Sequence, residues 1–247
     1  MVWSHYRIGL WSARIMVFLA VAYIATGAVG LRWVPVPAPP PGLVQVDPFL
    51  AILETIMVIL APVEVVLFAA IYAYATYEES PLPDARGSEG SRARTCGRAT
   101  CALGALVFVG ILAGLTCSVH FVLLTLGRQT GYAAVPGAFY PWPTALFAID
   151  LLAWDIFQGL GLLFAAPVFR GGGLPKAIRV SMVISGALCL VGVAGPASGD
   201  LRFQVPAIFG YAGGLTVACA LLAVFFGRLA KGECELHSLR FACFRGN

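Results

Sequence analysis

Six long apolar runs, separated by polar stretches, constrain the fold of this chain more than any other feature. Each run has about the 20 apolar residues that an α-helix needs to cross a hydrocarbon core. A helix also keeps its backbone hydrogen-bonded where water is absent. The runs therefore predict transmembrane helices over the approximate ranges 15–34, 49–76, 100–126, 143–169, 180–197 and 207–226.

Composition favours a membrane protein over a soluble domain. Hydrophobic residues make up 60% of the chain and charged residues only 11%, whereas soluble domains carry roughly a quarter charged residues. The prediction is an all-α, polytopic transmembrane bundle of six helices within residues 15–227. Residues 78–98 are polar and rich in Gly, Ser and Arg, so we expect a mobile cytoplasmic loop there.

The lysines and arginines predict the orientation. With the N-terminus inside, only Arg32, Arg128 and Arg202 of the 16 basic residues fall in outer segments. This bias follows the positive-inside rule and places both the N-terminal segment, 1–14, and the C-terminal tail, 228–247, in the cytoplasm. We expect a multi-pass protein of the cell membrane. A cleaved signal peptide is the alternative for the first run, but the run continues past the small residues at 25–28, which favours a retained helix.

Motifs for the usual cofactors and soluble partners are missing. His120 is the one histidine in an apolar run, so paired haem ligands are not expected, and no run contains a lysine for a retinal Schiff base. The spacing of Cys234, His237 and Cys243 matches no usual metal framework. No basic stripe with interleaved aromatics points to nucleic acid. We predict no cofactor, no metal and no nucleic-acid partner; the oligomeric state stays open.

Three ionisable residues in different runs share one predicted depth. Glu54, His120 and Asp150 each lie roughly 10 Å from the outer end of their helix, at 1.5 Å per residue. Ionisable groups inside a membrane are costly and are functional by default. The alternative is that each acid serves as hydrogen-bonded glue between helices. Three such groups at one level favour chemistry over glue.

Further polar groups are predicted deeper in the membrane. Asp155 and Gln158 fall in one sector of the fourth helix together with Asp150, and Trp154 lies on the same face. Glu64 lies about 15 Å further in than Glu54, after a proline that can kink the second helix. We expect Glu64 and Asp155 to belong to a separate inner cluster.

Acids of this kind suit proton transfer. A carboxyl group in an apolar cavity can stay protonated near neutral pH and act as a general acid, while a second carboxylate or a histidine takes up the proton released later. Aromatic faces can stabilise a cation. The candidate catalytic residues are Glu54, Asp150, His120 and Asp155. The candidate substrate-binding residues are Trp154, Gln158, Phe121, Tyr211 and Glu64.

Glu54 lies in the segment FLAILETIMVILAPVEVV. The chain as a whole is predicted to be small and all-helical, with a few buried acids. In these respects the chain resembles the small integral-membrane terpene cyclases that act on prenylated natural products. The resemblance implies that an early glutamate and a distant aspartate protonate an epoxide or alkene. That family usually has seven helices and a late aspartate, whereas here Asp150 or Asp155 would have to serve.

The expected function is therefore an intramembrane acid–base enzyme, a cyclase or isomerase, acting on a lipophilic small-molecule substrate within the bilayer; the resemblance implies an isoprenoid. Two alternatives stay open. Intramembrane carboxylates and a histidine also suit a proton-coupled transporter or a small-molecule-binding membrane protein. Abundant glycines in the runs permit close helix packing, which suits a structural or accessory membrane subunit.

Overall fold

The computed structural model describes residues 4–33, 48–77, 89–127 and 144–244. Within these ranges the chain is helical apart from short turns, and none of them contains a strand. Six helical segments, α1 to α6, are long and apolar enough to cross a membrane, as predicted. The segments are α1 His5–Trp33, α2 Pro48–Tyr77, α3 Glu89–Val122 continued by Leu123–Gly127, α4 Ala145–Val168, α5 Leu174–Gly192 followed by Ala194–Ser198, and α6 Leu201–Gln204, Val205–Ile208, Phe209–Gly214 and Leu215–Phe244 in succession.

The helix ends differ from the predicted ends where polar residues continue a helix. α1 begins at His5, not near residue 15, because Arg14 interrupts the apolar run without ending the helix. α3 begins at Glu89, so residues 89–98 are helical where a loop was predicted. The rest of that predicted loop, 78–88, and the proline-rich connection at 34–47 lie outside the described residues. α6 continues to Phe244, through the segment predicted as a tail.

The six helices form a ring in chain order. Each packs against its neighbours in sequence, and α6 closes the ring against α1. We call the end at which α1 begins the base and the opposite end the top. Glycines allow the closest approaches: a Cβ on Gly192 would lie 2.2 Å from Ala207 Cβ, so α5 and α6 touch at the backbone there.

The base of the ring is filled with aromatic side chains. Phe225 packs edge-on against Tyr74 and Phe169, at 5.2 and 5.5 Å between ring centroids. Arg98 donates a hydrogen bond from Nη2 to Val168 O at 2.8 Å and lies over the Tyr74 ring. This packing closes the interior at the base, so the polar interior lies in the middle and top of the bundle.

The turn between α4 and α5 needs glycine. Gly171 has φ +98° and Gly173 has φ +61°, both in the region that residues with a Cβ rarely adopt. Residues 171–173, predicted as a hinge, therefore form a tight turn at the base, and Pro175 starts α5 in its first turn.

Candidate functional site

His120 stands between two carboxyl groups in the interior of the bundle. Its Nδ1 faces Glu54 Oε2 as a hydrogen-bond partner, and its Nε2 lies 3.3 Å from Asp150 Oδ1. The exposed fractions are 2% for His120, 2% for Glu54 and 7% for Asp150. The structure thus brings together, from α2, α3 and α4, the three residues that helix rise places at one depth. We call them the triad.

The geometry of the triad suits proton relay. Imidazole can take up a proton at one ring nitrogen and release it from the other, and here each nitrogen faces a different carboxyl group. The two carboxyl groups lie on opposite edges of the ring, so the three side chains do not converge on one point where a metal ion could sit. Among the described residues no group of three or more His, Cys, Asp or Glu side chains is arranged to hold a metal ion.

A cavity of about 140 Å³ lies beside the triad, between α1, α2, α4 and α6. Of the triad, Asp150 lines this cavity. Tyr23, Trp154 and Tyr211 also line it, and the rings of Trp154 and Tyr211 are 5.6 Å apart. Ile24 belongs to the lining and is 49% exposed, so the cavity extends to the outer surface of the bundle. Most of the remaining lining is apolar.

Two hydrogen-bonded pairs lie elsewhere in the interior. Gln158 donates from Nε2 to Glu64 Oε1 at 2.7 Å, and Gln204 donates from Nε2 to Asp155 Oδ1 at 2.7 Å. All four side chains are buried. The predicted inner cluster of Glu64 with Asp155 is therefore resolved into two pairs, each acid bonded to its own glutamine.

Three π-helical turns adjoin these polar groups. Leu123–Gly127 follows His120 in α3, Leu152–Phe157 contains Trp154 and Asp155 in α4, and Phe209–Gly214 contains Tyr211 in α6. A π-helical turn adds a residue to the helical repeat and shifts the side chains that follow it. Such turns are frequent at functional sites, and here they set which side chains of α4 and α6 face the interior.

The structure does not bring Phe121 to the site. The side chain of Phe121 is 58% exposed and lies on the outer surface of α3. Since neighbouring residues on a helix point about 100° apart, the inward direction of His120 turns Phe121 away. The other predicted substrate-binding residues face the interior, although Gln158 and Glu64 bind each other and lie outside the cavity lining.

Two interior residues were missed by the sequence analysis. Tyr23 lies close enough to Asp150 and Glu54 to interact with both electrostatically. The sequence feature that could have identified it is a phenol in the middle of an apolar run. Gln204 was assigned to a connection because α6 was predicted to start near residue 207. It lies instead in the 3₁₀ turn Leu201–Gln204, which begins α6 and turns the amide towards Asp155.

Comparison with known proteins found no family, no curated protein and no solved structure that matches this chain. The triad and its cavity together can hold an apolar molecule against the carboxyl group of Asp150, which lies 3.3 Å from His120 Nε2.

Proposed function

We propose that this chain is an intramembrane acid–base enzyme in which Asp150 exchanges a proton with a lipophilic substrate. One observation carries the proposal: Asp150 lines the cavity while its carboxyl group also contacts His120. The acid that meets the substrate is thus connected to a proton reserve away from it. Glu54, the residue matched by the resemblance to terpene cyclases, lies behind His120 and serves as that reserve.

The reaction that fits this arrangement begins with proton donation. The Asp150 carboxyl group gives its proton to a carbon–carbon double bond or to an epoxide oxygen. A new C–H or O–H bond forms, and the substrate becomes a carbocation, with the epoxide C–O bond broken in the second case. The faces of Trp154 and Tyr211 stabilise this cation. Loss of a proton from a neighbouring carbon to the Asp150 carboxylate forms a double bond and restores the acid.

The cavity limits the part of the substrate that reaches Asp150. A dry cavity of about 150 Å³ admits a molecule the size of benzene, and this one measures about 140 Å³. The reactive end of an isoprenoid chain fits, while the remaining apolar chain lies along the outer surface near Ile24. The buried indole N–H of Trp154 has no hydrogen-bond partner among the described residues. It is therefore available to an oxygen on the substrate.

The experiment uses membranes that contain the full chain or a variant. They are incubated with a panel of aromatic compounds that carry a farnesyl or geranylgeranyl chain with an epoxide on that chain. Products of unchanged mass are separated by chromatography. Asp150→Asn is expected to lower turnover at least about 100-fold, since general acid catalysis contributes about 10² to 10⁴. Glu64→Gln is the matched control, because it also removes a buried acid but one outside the cavity lining. Equal turnover by Asp150→Asn and the unmodified protein would refute the proposal.

A second candidate function is proton-coupled transport. It is favoured because the interior holds buried carboxyl groups beyond the triad. The pairs of Glu64 with Gln158 and of Asp155 with Gln204 add further carboxyl groups to those of the triad. Intramembrane carboxylates of this kind carry protons in transporters. Proteoliposomes loaded with a pH-sensitive dye separate the two functions. Solute uptake coupled to proton entry, abolished by Glu64→Gln, would favour transport over catalysis.

We also propose that the protein lies in the cell membrane with both termini in the cytoplasm. The distribution of basic residues supports it. Fusions of a reporter that is active only in the cytoplasm, placed after residue 247 and within 128–143, test it. Activity at the first site and none at the second is expected, and the reverse pattern would overturn the orientation.

A further inference from the structure

A cationic groove lies at the base of the bundle, where α1 meets α6. Its volume is about 710 Å³, and it is distant along the helices from the triad. Four basic side chains line it, two from each helix, together with an indole and small or apolar side chains. Its lining includes Arg7, Trp11, Arg14, Val224, Arg228 and Lys231.

Helical spacing builds this groove. On α1, Arg7, Trp11 and Arg14 recur at intervals of four and three residues, so they share one face. On α6, Arg228 and Lys231 are three residues apart and also share a face. The two helices approach closely at Gly9, whose Cβ would lie 2.8 Å from the Phe226 ring. Four cations therefore converge along one seam between two helices.

The positive charge of the groove is not neutralised by described residues. No carboxylate of the described residues lines it, and none of its four cations forms an ion pair with a described side chain. Arg14 lies over the Trp11 ring at 5.2 Å, which holds that guanidinium in place without neutralising it. Four cations on one seam that no described carboxylate neutralises repel one another, and a bound anion relieves that repulsion.

The apolar side chains of the groove face outward. Trp11 is 48% exposed and Val224 is 48% exposed. Ile15 and Phe18 continue this outward surface along α1 towards the top, with exposed fractions of 41% and 70%. Cations at the end of the helices and an exposed apolar surface above them match a molecule with an anionic head and hydrocarbon tails.

We propose that this groove binds an anionic phospholipid, with its phosphodiester held by Arg14 and Arg228 and its acyl chains lying along Val224 and Phe18. Basic pockets between helices at a membrane surface bind lipid headgroups of this class. The guanidinium group matches phosphate through paired hydrogen bonds. A free phosphate would use the same cations but would leave the apolar wall without an occupant.

The test measures lipid binding to the purified full-length chain in detergent by native mass spectrometry. Phosphatidylglycerol is compared with phosphatidylcholine, which has the same phosphodiester but no net charge. The double variant Arg14→Gln with Arg228→Gln is expected to bind phosphatidylglycerol about 30-fold more weakly, since each basic residue near the membrane surface contributes about a factor of 5. The matched control, Lys176→Gln with Arg179→Gln, removes two charges from the same end on α5 and is expected to bind as the unmodified protein does.

A charge-retaining variant, Arg14→Lys with Arg228→Lys, separates loss of charge from loss of folding and is expected to retain most of the binding. Three results would each overturn the proposal. The first is an equal loss in the α5 control, which means that charge acts without a site. The second is equal binding of phosphatidylcholine. The third is displacement of phosphatidylglycerol by 10-fold excess inorganic phosphate, which means that the groove takes a soluble anion.

Discussion

Gln158 in α4 donates a hydrogen bond to Glu64 in α2 at 2.7 Å, and both side chains are fully buried. The two residues join helices that are not neighbours in the ring, so the bond crosses the interior. Glu64 Oε2 has no hydrogen-bond partner among the described residues. The pair is therefore a cross-link in a part of the bundle that offers few alternative partners.

A double-mutant cycle is expected to detect this cross-link. Glu64→Ala or Gln158→Ala alone leaves a buried polar partner unsatisfied and is expected to lower the free energy of unfolding by about 1–3 kcal/mol. The double variant is expected to lose less than the sum, with a coupling of about 1 kcal/mol. Unfolding by dodecyl sulfate in mixed micelles measures these values. Strictly additive losses would mean that the bond contributes nothing.

A second prediction concerns the contact of α5 with α6. Gly192→Ala places a methyl group 2.2 Å from Ala207 Cβ, so the helices must separate, at about 1–3 kcal/mol of stability. Gly110→Ala is the matched control, since a Cβ at Gly110 meets nothing within 4 Å and alanine is the better helix former. The same unfolding assay should show a loss for Gly192→Ala only. An equal loss in both variants would contradict the packing seen at Gly192.

The six long helices could be predicted from sequence because the length of an apolar run decides whether a helix can span a membrane. The helix ends could not. Arg14 interrupts the apolar run of α1, but the backbone hydrogen bonds continue through it, so α1 begins at His5. The ring order of the helices was also beyond the sequence analysis, since it depends on close contacts such as that of Gly192 with Ala207.

The candidate site was predictable where depth alone decides. Helix rise placed Glu54, His120 and Asp150 at one level, and the structure joins them. Rise says nothing about which group meets a cavity, and of the triad it is Asp150 that lines the cavity. Gln204 was missed because a 3₁₀ turn carries it into the interior, and neither hydropathy nor helical period signals such a turn.

A third prediction concerns acid titration at the start of α6. The Arg202 guanidinium beside Asp200, with Nη2 2.6 Å from Oδ2, holds the pKa of that carboxyl below its usual range. A lowered pKa means that the interaction is complete at neutral pH and is lost as the pH falls through the lowered pKa. Arg202→Gln is expected to raise the pKa of Asp200 towards its usual value.

Carbon-13 NMR of the Asp200 carboxyl during a pH titration measures this change. Arg202 is 89% exposed, and exposed ion pairs contribute little to stability, so the unfolding midpoint at neutral pH is expected to stay nearly constant. Arg202→Lys is the control that keeps the charge. An unchanged titration of Asp200 in Arg202→Gln would show that the pair does not persist in solution.

The last prediction tests the cavity without touching the triad. Ala212 lines the cavity from α6, and Ala212→Leu adds three carbon atoms to a space of about 140 Å³. Filling a cavity removes room for a substrate while it adds packing, so turnover of the epoxide panel is expected to fall at least tenfold and stability to stay equal or rise by about 1 kcal/mol. Ala220→Leu makes the same change at an exposed position of α6 and is expected to alter neither quantity. The combination of lost turnover with retained stability separates an occupied cavity from misfolding, and full turnover by Ala212→Leu would place the reaction elsewhere.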